Sequence, residues 1–483
     1  MIRGPVLSHY LGKIMLLVGI AMLSCLPVCW FYGESIWRSF AWSALLTLAV
    51  ALMAVCYGER PEEGFSYKEG FVLVSLGWLL VSLFGTLPYI FAGATDSVAD
   101  AVFEAFSGFT TTGASIYRDV ESLPRGILFW RAMSHWLGGM GIIALFVAIM
   151  ANAGARANQI FRVEVPGPPI DKISPRIQDN AKLLWGTYIA LTVILFLLLW
   201  AAGMGGFDAV CHAFSTVSTG GFSNHNASLA GYSAVVQWLV IMFMFLAGVN
   251  FSLHYLFVTR RQLSLYYKNE EFRLYIILIV AALILCAGSL FYNQGGAQAA
   301  TTIRQALFAV LAVMTTTGFY SADYTGWPLL GQFILFALLF VGACAGSTSG
   351  NMKVGRYLIM FKRGLVELLQ MVHPRSVHTV KVNGHALSEA LVVHVLQFFF
   401  LYILLLITVG LVLTAEGLDL FSSLTGAAAT LGNVGPAFGL LGPTGNYAFL
   451  SDAGKYILSF AMLVGRLEIY PVLLLLIPSF WRQ

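Results

Sequence analysis

Four short segments of this chain each end in a glycine. They read Phe106-Ser-Gly-Phe-Thr-Thr-Thr-Gly113, Phe214-Ser-Thr-Val-Ser-Thr-Gly-Gly221, Val313-Met-Thr-Thr-Thr-Gly318 and Thr430-Leu-Gly-Asn-Val-Gly435, with the glycines 108, 97 and 117 positions apart. The chemistry open to them is the binding of a dehydrated monovalent cation. Such an ion needs several oxygen ligands, and backbone carbonyls supply them without a fixed counter-charge that would hold it too tightly. Aiming successive carbonyls at one axis takes unusual dihedrals, which glycine permits. The expected donors are Thr111, Thr112 and Gly113; Thr219, Gly220 and Gly221; Thr316, Thr317 and Gly318; and Asn433, Val434 and Gly435. Ordinary turns would explain one Thr-Gly pair. Four copies at matching places point instead to a ring of backbone loops around one axis, with threonine hydroxyls bonding behind or below it. One glycine per copy predicts a short selective zone.

Two further features fit a barrier on such a path. Residues 327–360 as one helix would run about 51 Å at about 1.5 Å per residue, beyond a hydrocarbon core of about 30 Å. The middle reads Gly342-Ala-Cys-Ala-Gly346-Ser347-Thr348-Ser349-Gly350-Asn351. Small and polar residues at this density break a helix and cannot face lipid, so Gly346, Ser347, Thr348, Ser349 and Gly350 are expected in a mobile loop within the pore. Close helix packing through small residues is the competing explanation. Arg466, in Met462-Leu-Val-Gly-Arg-Leu-Glu468, falls inside the last apolar run. An arginine at membrane depth costs at least about 2.5 kcal/mol, so it is expected to face a wet cavity or a partner. Glu468 is a poor partner, being two residues away on another helix face. A fixed positive charge beneath a ring of cation ligands would act as a gate.

The elements that must position these residues are helices. Each copy lies between a long apolar run before it and another after it. The first long helices are expected near 69–92, 180–203, 272–292 and 390–414, and short ones near 99–109, 207–217, 303–313 and 420–430. Eleven residues reach about 16 Å, half a bilayer, and such a segment enters and returns only where protein shields its backbone. Asp100 and Asp208, each 13 residues before their glycine, are expected at the starts of short helices, with Gln305 and Ser422 at the same offset. Second long helices are expected near 126–151, 234–258, 327–341 and 455–478. The fold expected is therefore an all-α integral membrane protein with four pseudo-symmetric helix–pore helix–filter loop–helix repeats around one pore. Two extra N-terminal transmembrane helices occupy 1–60, and the repeats cover 61–151, 152–258, 259–360 and 361–483. The polar stretch 152–182 carries Pro166-Gly-Pro-Pro169, which stops any helix there.

Composition agrees. The chain has 483 residues, 58% hydrophobic and 10% charged, and its mean hydropathy of +0.80 lies outside the range of soluble domains. Basic residues concentrate in 152–182, 259–273 and 353–388, whereas the glycine-bearing segments hold few. That bias places the former in the cytoplasm and the latter outside, and it explains the charge better than nucleic-acid binding does. Lys353 is expected near the cytoplasmic end. Six scattered cysteines lack metal-ligand spacing and read as small buried hydrophobes. Arg3 and Lys13 before the first apolar run resemble a leader, but Met22-Leu23 before Ser24-Cys25 is a poor cleavage context. No nucleophile–base set or phosphate loop points to an enzyme. His135, His212 and His254 are expected to pack as polar groups in or near spans. Glu104 is expected to brace the first loop; it is also the main candidate for a proton- or sodium-coupled alternative.

With these pieces placed, the chain resembles the Trk/Ktr/HKT superfamily of potassium transport proteins over nearly its whole length. The resemblance rests on Thr110-Thr-Thr-Gly-Ala114, Thr315-Thr-Thr-Gly-Phe319, Gly432-Asn-Val-Gly-Pro436, Gly346-Ser-Thr-Ser-Gly350 and Gly465-Arg-Leu-Glu468. It implies potassium uptake across the bacterial inner membrane through a gated, channel-like pore, with potassium as the transported ion and no organic cofactor. It assigns Gly113, Gly221, Gly318 and Gly435 to the filter, 342–351 to the gating loop and Arg466 to the barrier. It implies a homodimer embedded in membrane lipid and a cytoplasmic nucleotide-binding regulatory ring resembling TrkA. A symporter of the same architecture is the alternative. Ser349 and Asn351 depart from the glycine-richer loops of the family, which bears on the loop's flexibility and not its location. The second repeat has Ser218-Thr-Gly-Gly221 and the fourth lacks the threonines, so fourfold-symmetric binding sites are not expected.

Overall fold

A computed structural model describes residues 2–59, 66–152, 177–294, 299–376 and 378–482; the proline-rich stretch at 166–169 lies outside them. Among these residues the chain is helical apart from one two-stranded hairpin, Lys381–Val382 with His385–Ala386. Six helices are long and apolar enough to cross a membrane, eight if two bent pairs each count as one span.

The N-terminal helices Gly4–Leu23 and Trp37–Tyr57 lie side by side. Gly12 and Gly19 permit it: a Cβ on Gly12 would come 2.7 Å from the Ala51 carbonyl oxygen, and one on Gly19 2.7 Å from Leu48. Small residues allow the close backbone approach on which helix pairs in lipid depend.

Each repeat then follows the expected order. The pore helices are Val98–Phe109, Gly206–Val217, Ala299–Met314 and Leu420–Leu431. They follow the long helices Tyr67–Phe84, Ile177–Ala201, Glu270–Gln294 and Glu389–Ala415. The first long helix is interrupted near Gly85 and resumes as Leu87–Ala92, where Pro88 removes an amide donor. Residues facing outward from the bundle are large and apolar, as with Ile277, Ile284 and Leu411.

The second helices correct one expectation. Breakage was expected in the third repeat, where Leu329–Leu338 ends and Val354–Val372 begins beyond the small-residue segment. Two other repeats break as well. Ala234–Ala247 and Phe251–Arg260 meet at 95°, and Asp452–Arg466 and Tyr470–Leu476 at 118°. Asn250 caps the new helix by accepting from the Ser252 amide at 2.8 Å. The other bend passes through Glu468 and Ile469, both at positive φ (56° and 68°), and restarts with Pro471 in the first turn. Apolar length alone had merged each pair into one run.

Candidate functional site

The four loops share one backbone conformation, set by how their pore helices end. In each, the residue two before the glycine is left-handed: Thr111 (φ 54°), Thr219 (55°), Thr316 (58°) and Asn433 (55°). The glycines follow at φ 78°, 87°, 75° and 88°. Repeats one, two and four close their helices with paired back-bonds of the Schellman type. Thr111 and Thr112 donate to Gly108 and Ser107, Thr219 and Gly220 to Thr216 and Ser215, Asn433 and Val434 to Thr430 and Ala429. In repeat three Thr316 donates to Val313, and Gly318 rather than Thr317 reaches Ala312. Asparagine tolerates the left-handed region; a β-branched threonine there is strained. Three of the four loops hold that strain at one position.

These caps consume amides and leave carbonyls. Among the described residues no donor reaches the carbonyl oxygens of Thr112, Gly220, Thr317 or Val434. The glycines lock them together. A Cβ on Gly113 would strike the Gly220 oxygen, one on Gly221 the Thr317 oxygen, one on Gly318 the Val434 oxygen, and one on Gly435 the Thr112 oxygen. Each loop thus abuts the next and the fourth returns to the first. The four glycines and the residue before each form one closed ring, and the threonines in it and the neighbouring Thr111, Thr219, Thr316 and Asn433 are fully buried. Hydroxyls bond behind it, as in the Thr110–Thr112 pair at 2.8 Å and the Thr315–Thr317 pair at 2.7 Å.

The segment 342–351 is a buried loop that touches repeats two, three and four. The Gly350 amide donates to Thr316 Oγ1 at 2.8 Å, and the Thr348 hydroxyl donates to the Val217 carbonyl at 3.0 Å, at the end of the second pore helix. Gly350 packs against Gly432 and Asn433. Asn351, left-handed at φ 61°, donates to the Leu339 carbonyl at 2.6 Å and accepts from the Tyr402 hydroxyl at 3.1 Å. Ser349 and Asn351, the departures from a glycine-rich loop, are among its anchors.

Arg466 is 2% exposed. It donates to the Thr348 carbonyl at 2.9 Å and to the Gly138 carbonyl at 3.3 Å, so the charge sits against the loop and bridges it to repeat one. Glu468 does turn elsewhere, pairing with Arg356. Lys353 is not at an exposed end: it is buried and donates back to the Ser349 carbonyl and hydroxyl.

Side chains behind the ring fix its segments in place. Glu104 accepts from Arg131 at 2.7 Å and from the Ile116 amide at 3.1 Å, and Ser115 donates to it at 3.2 Å. Its carboxylate therefore braces the segment after Gly113. Asn433 donates to Thr112 Oγ1 at 3.0 Å and to the Met462 carbonyl at 2.9 Å. His135 stacks on Phe222 with centroids 4.1 Å apart. His212 lies within 3.0 Å of the Ser223 hydroxyl, and His254 within 2.9 Å of the Tyr266 hydroxyl. Asp100 does not cap its helix: Ser97 accepts from the Asp100 amide at 3.1 Å, and the Asp100 carboxylate pairs with Lys455 at 2.7 Å. Asp208 accepts from Asn224 at 2.9 Å and from His225. The fourth cap is Asp419 rather than Ser422, whose amide it receives at 3.1 Å, and Gln305 lies inside its helix rather than at the start.

Two residues were missed by sequence reasoning. Glu271, 2% exposed, accepts from the amides of Ala345 at 2.7 Å and Gly355 at 3.0 Å; its signal was an acidic pair opening an apolar span in an otherwise basic stretch. Lys455, which opens an apolar run and pairs with Asp100, carried no signal beyond its charge. Among the described residues no cluster of three or more His, Cys, Asp or Glu could hold a metal ion.

The sequence and the overall fold are matched among known proteins. The profile of the TrkH family, described as cation transport protein, covers residues 42–483. The potassium uptake protein TrkH of Salmonella typhimurium is 38% identical over 480 residues, 99% of each chain. TrkG of Escherichia coli K12, also a Trk system potassium uptake protein, is 33% identical over 483 residues, 99% of each chain. The crystal structure of the potassium transporter TrkH from Vibrio parahaemolyticus superposes with a TM-score of 0.91 at 35% identity, covering 100% of both chains. Both sequence relatives are named as potassium uptake proteins, and this chain is a multi-pass transporter of the bacterial inner membrane and not an enzyme. The chain belongs to the TrkH family of cation transport proteins.

Proposed function

We propose that this chain takes up potassium through a gated, channel-like pore in which the four-loop ring is the filter. The observation that carries the reading is the closed ring of glycines and neighbouring carbonyls, with unengaged carbonyl oxygens on four sides. Thr111, Thr112, Gly113, Thr219, Gly220, Gly221, Thr316, Thr317, Gly318, Asn433, Val434 and Gly435 would replace the ion's hydration shell. Gly346, Ser347, Thr348, Ser349 and Gly350 close the path beneath, and Arg466 both holds the loop and repels cations. The potassium uptake activity named for relatives at up to 38% identity supports the choice of ion.

The coupled alternative relied on Glu104, whose carboxylate is engaged by Arg131, Ser115 and Ile116; that favours the passive reading. A homodimer and a TrkA-like cytoplasmic ring belong to the same proposal. Support for the ring comes from Val354–Val372, which leaves the loop and carries exposed Phe361, Leu365 and Met371, a face through which a partner would move the loop.

The test is flux into liposomes holding the purified protein, under imposed potassium or sodium gradients at varied pH. Potassium flux that reverses at its own equilibrium potential is expected. Flux that stops without a sodium or proton gradient overturns the passive reading.

A further inference from the structure

Glu271 lies in the first turn of Glu270–Gln294, outside both ring and loop. Its Oε1 receives two amides, from Ala345 and Gly355, that flank the segment 346–354. One carboxylate oxygen therefore staples the neck of the loop. Gly355 is also in the first turn of Val354–Val372, where a carboxylate is favoured by the amides and dipole of a helix start. An ionisable group at membrane depth is costly and usually functional, and none of the contacts of Glu271 touches the ring.

Resting on the reading of the loop as a gate, the geometry points to Glu271 as a positioning residue that sets how firmly the gate stays shut. The loop has two kinds of anchor. Arg466, Thr316 and Val217 hold its tip, and Glu271 holds its base. Displacing Val354–Val372 draws the Gly355 amide off Glu271 while Ala345, bonded through Cys344 to the Gly248 carbonyl, stays with repeat two. A buried carboxylate losing one of two donors resists that movement, because hydrogen bonds to charged groups are the strong ones. The closed state is stabilised at a point distant from the ions.

The experiment compares wild type, Glu271→Ala, Glu271→Gln and Arg466→Ala as full-length protein in liposomes. Potassium flux, sodium flux and hydrogen exchange of peptides spanning 342–356 are read for each. Glu271→Ala is expected to raise potassium flux about tenfold, the change that about 1.4 kcal/mol of lost closed-state stabilisation produces. Exchange over 342–356 accelerates and potassium-over-sodium preference stays at the wild-type level. Glu271→Gln keeps an acceptor oxygen and is expected to restore most of the exchange protection and to raise flux less. If Arg466→Ala raises flux and Glu271→Ala does not, the latch is wrong and the gate reading stands. If neither raises flux, the gate reading itself fails. A Glu271→Ala leak that passes sodium as readily as potassium also overturns the latch. Should Glu271→Ala fail to fold, Glu271→Gln decides: higher potassium flux with faster exchange over 342–356 than in wild type supports the latch, and flux and exchange both at wild-type values refute it.

Discussion

On the proposed reading, Arg466→Ala removes a side chain that both charges the path and ties down the loop tip. Of its two bonds, the 3.3 Å contact to Gly138 reaches repeat one, and the 2.9 Å contact to Thr348 holds the loop itself. A hydrogen bond involving a charged group contributes about 1.5–3 kcal/mol. Losing the Thr348 bond alone raises the open-to-closed ratio about tenfold to a hundredfold. Removal of the positive charge lowers the electrostatic barrier in the same direction. Arg466→Lys separates the two effects, since lysine keeps the charge but loses the planar fork that reaches two carbonyls. The assay is potassium flux into liposomes under an imposed gradient, normalised to monodisperse protein. The expected order of flux is Arg466→Ala, then Arg466→Lys, then wild type. Folded Arg466→Ala with flux within about twofold of wild type, against the energies above, would refute the reasoning.

Gly318→Ser places a side chain at φ 75° against the Val434 oxygen and 2.8 Å from Pro436. The ring is expected to distort and the potassium-to-sodium permeability ratio, read from reversal potentials, to fall; Gly113→Ser should act likewise against Gly220. Glu104→Ala strands Arg131 beside its buried site. Breaking such a pair costs about 3–5 kcal/mol, so the detergent-solubilised variant should melt markedly lower, and an unchanged melting temperature would remove Glu104 as a brace. Outside the spans, the side-chain hydrogen bond from Asn226 holds the Asp119 carboxyl below its usual range. A depressed acid stabilises above its unfolded pKa, and that contribution is lost as pH falls through the folded one. The melting difference between wild type and Asp119→Ala should therefore be flat from pH 7 to about 5 and shrink below about 4.

The periodic parts of this structure were open to sequence reading because lipid leaves them little choice. A long apolar run must be a helix, and an eleven-residue one before a Thr-Gly pair must turn back. The ring was visible through its glycines, since φ near 80° admits little else. Its neighbours were not. Nothing in the spacing of Gly435 says that its missing Cβ faces Thr112, or that Lys455 reaches Asp100 across more than 350 positions. The bend at Gly248–Asn250 was hidden because apolar residues continue through it. Glu271 escaped notice because its partners are backbone amides, which carry no signature in side-chain identity. Ser349 and Asn351 were read as departures from a glycine-rich loop, and they are among the residues that fasten it.

The contacts between the fourth repeat and the first have a consequence for assembly. Three of the four junctions in the ring join repeats that are neighbours along the chain. The fourth joins Gly435 to Thr112, Asn433 to Thr112 and Lys455 to Asp100, and the Tyr447 amide to the Ser115 carbonyl at 2.9 Å. Synthesis runs from the N-terminus, so the first three repeats enter the bilayer while this seam still lacks its partner. During that interval Asp100 has no Lys455, and the Thr112 carbonyl borders a gap instead of a glycine. Contacts between such distant positions form slowly because the loop-closure entropy precedes their reward. Truncation before Asn433 therefore removes more than a helix: it leaves an open arc whose polar backbone has water or lipid on one side, and the nascent chain stays in that vulnerable form until its final tenth has been inserted.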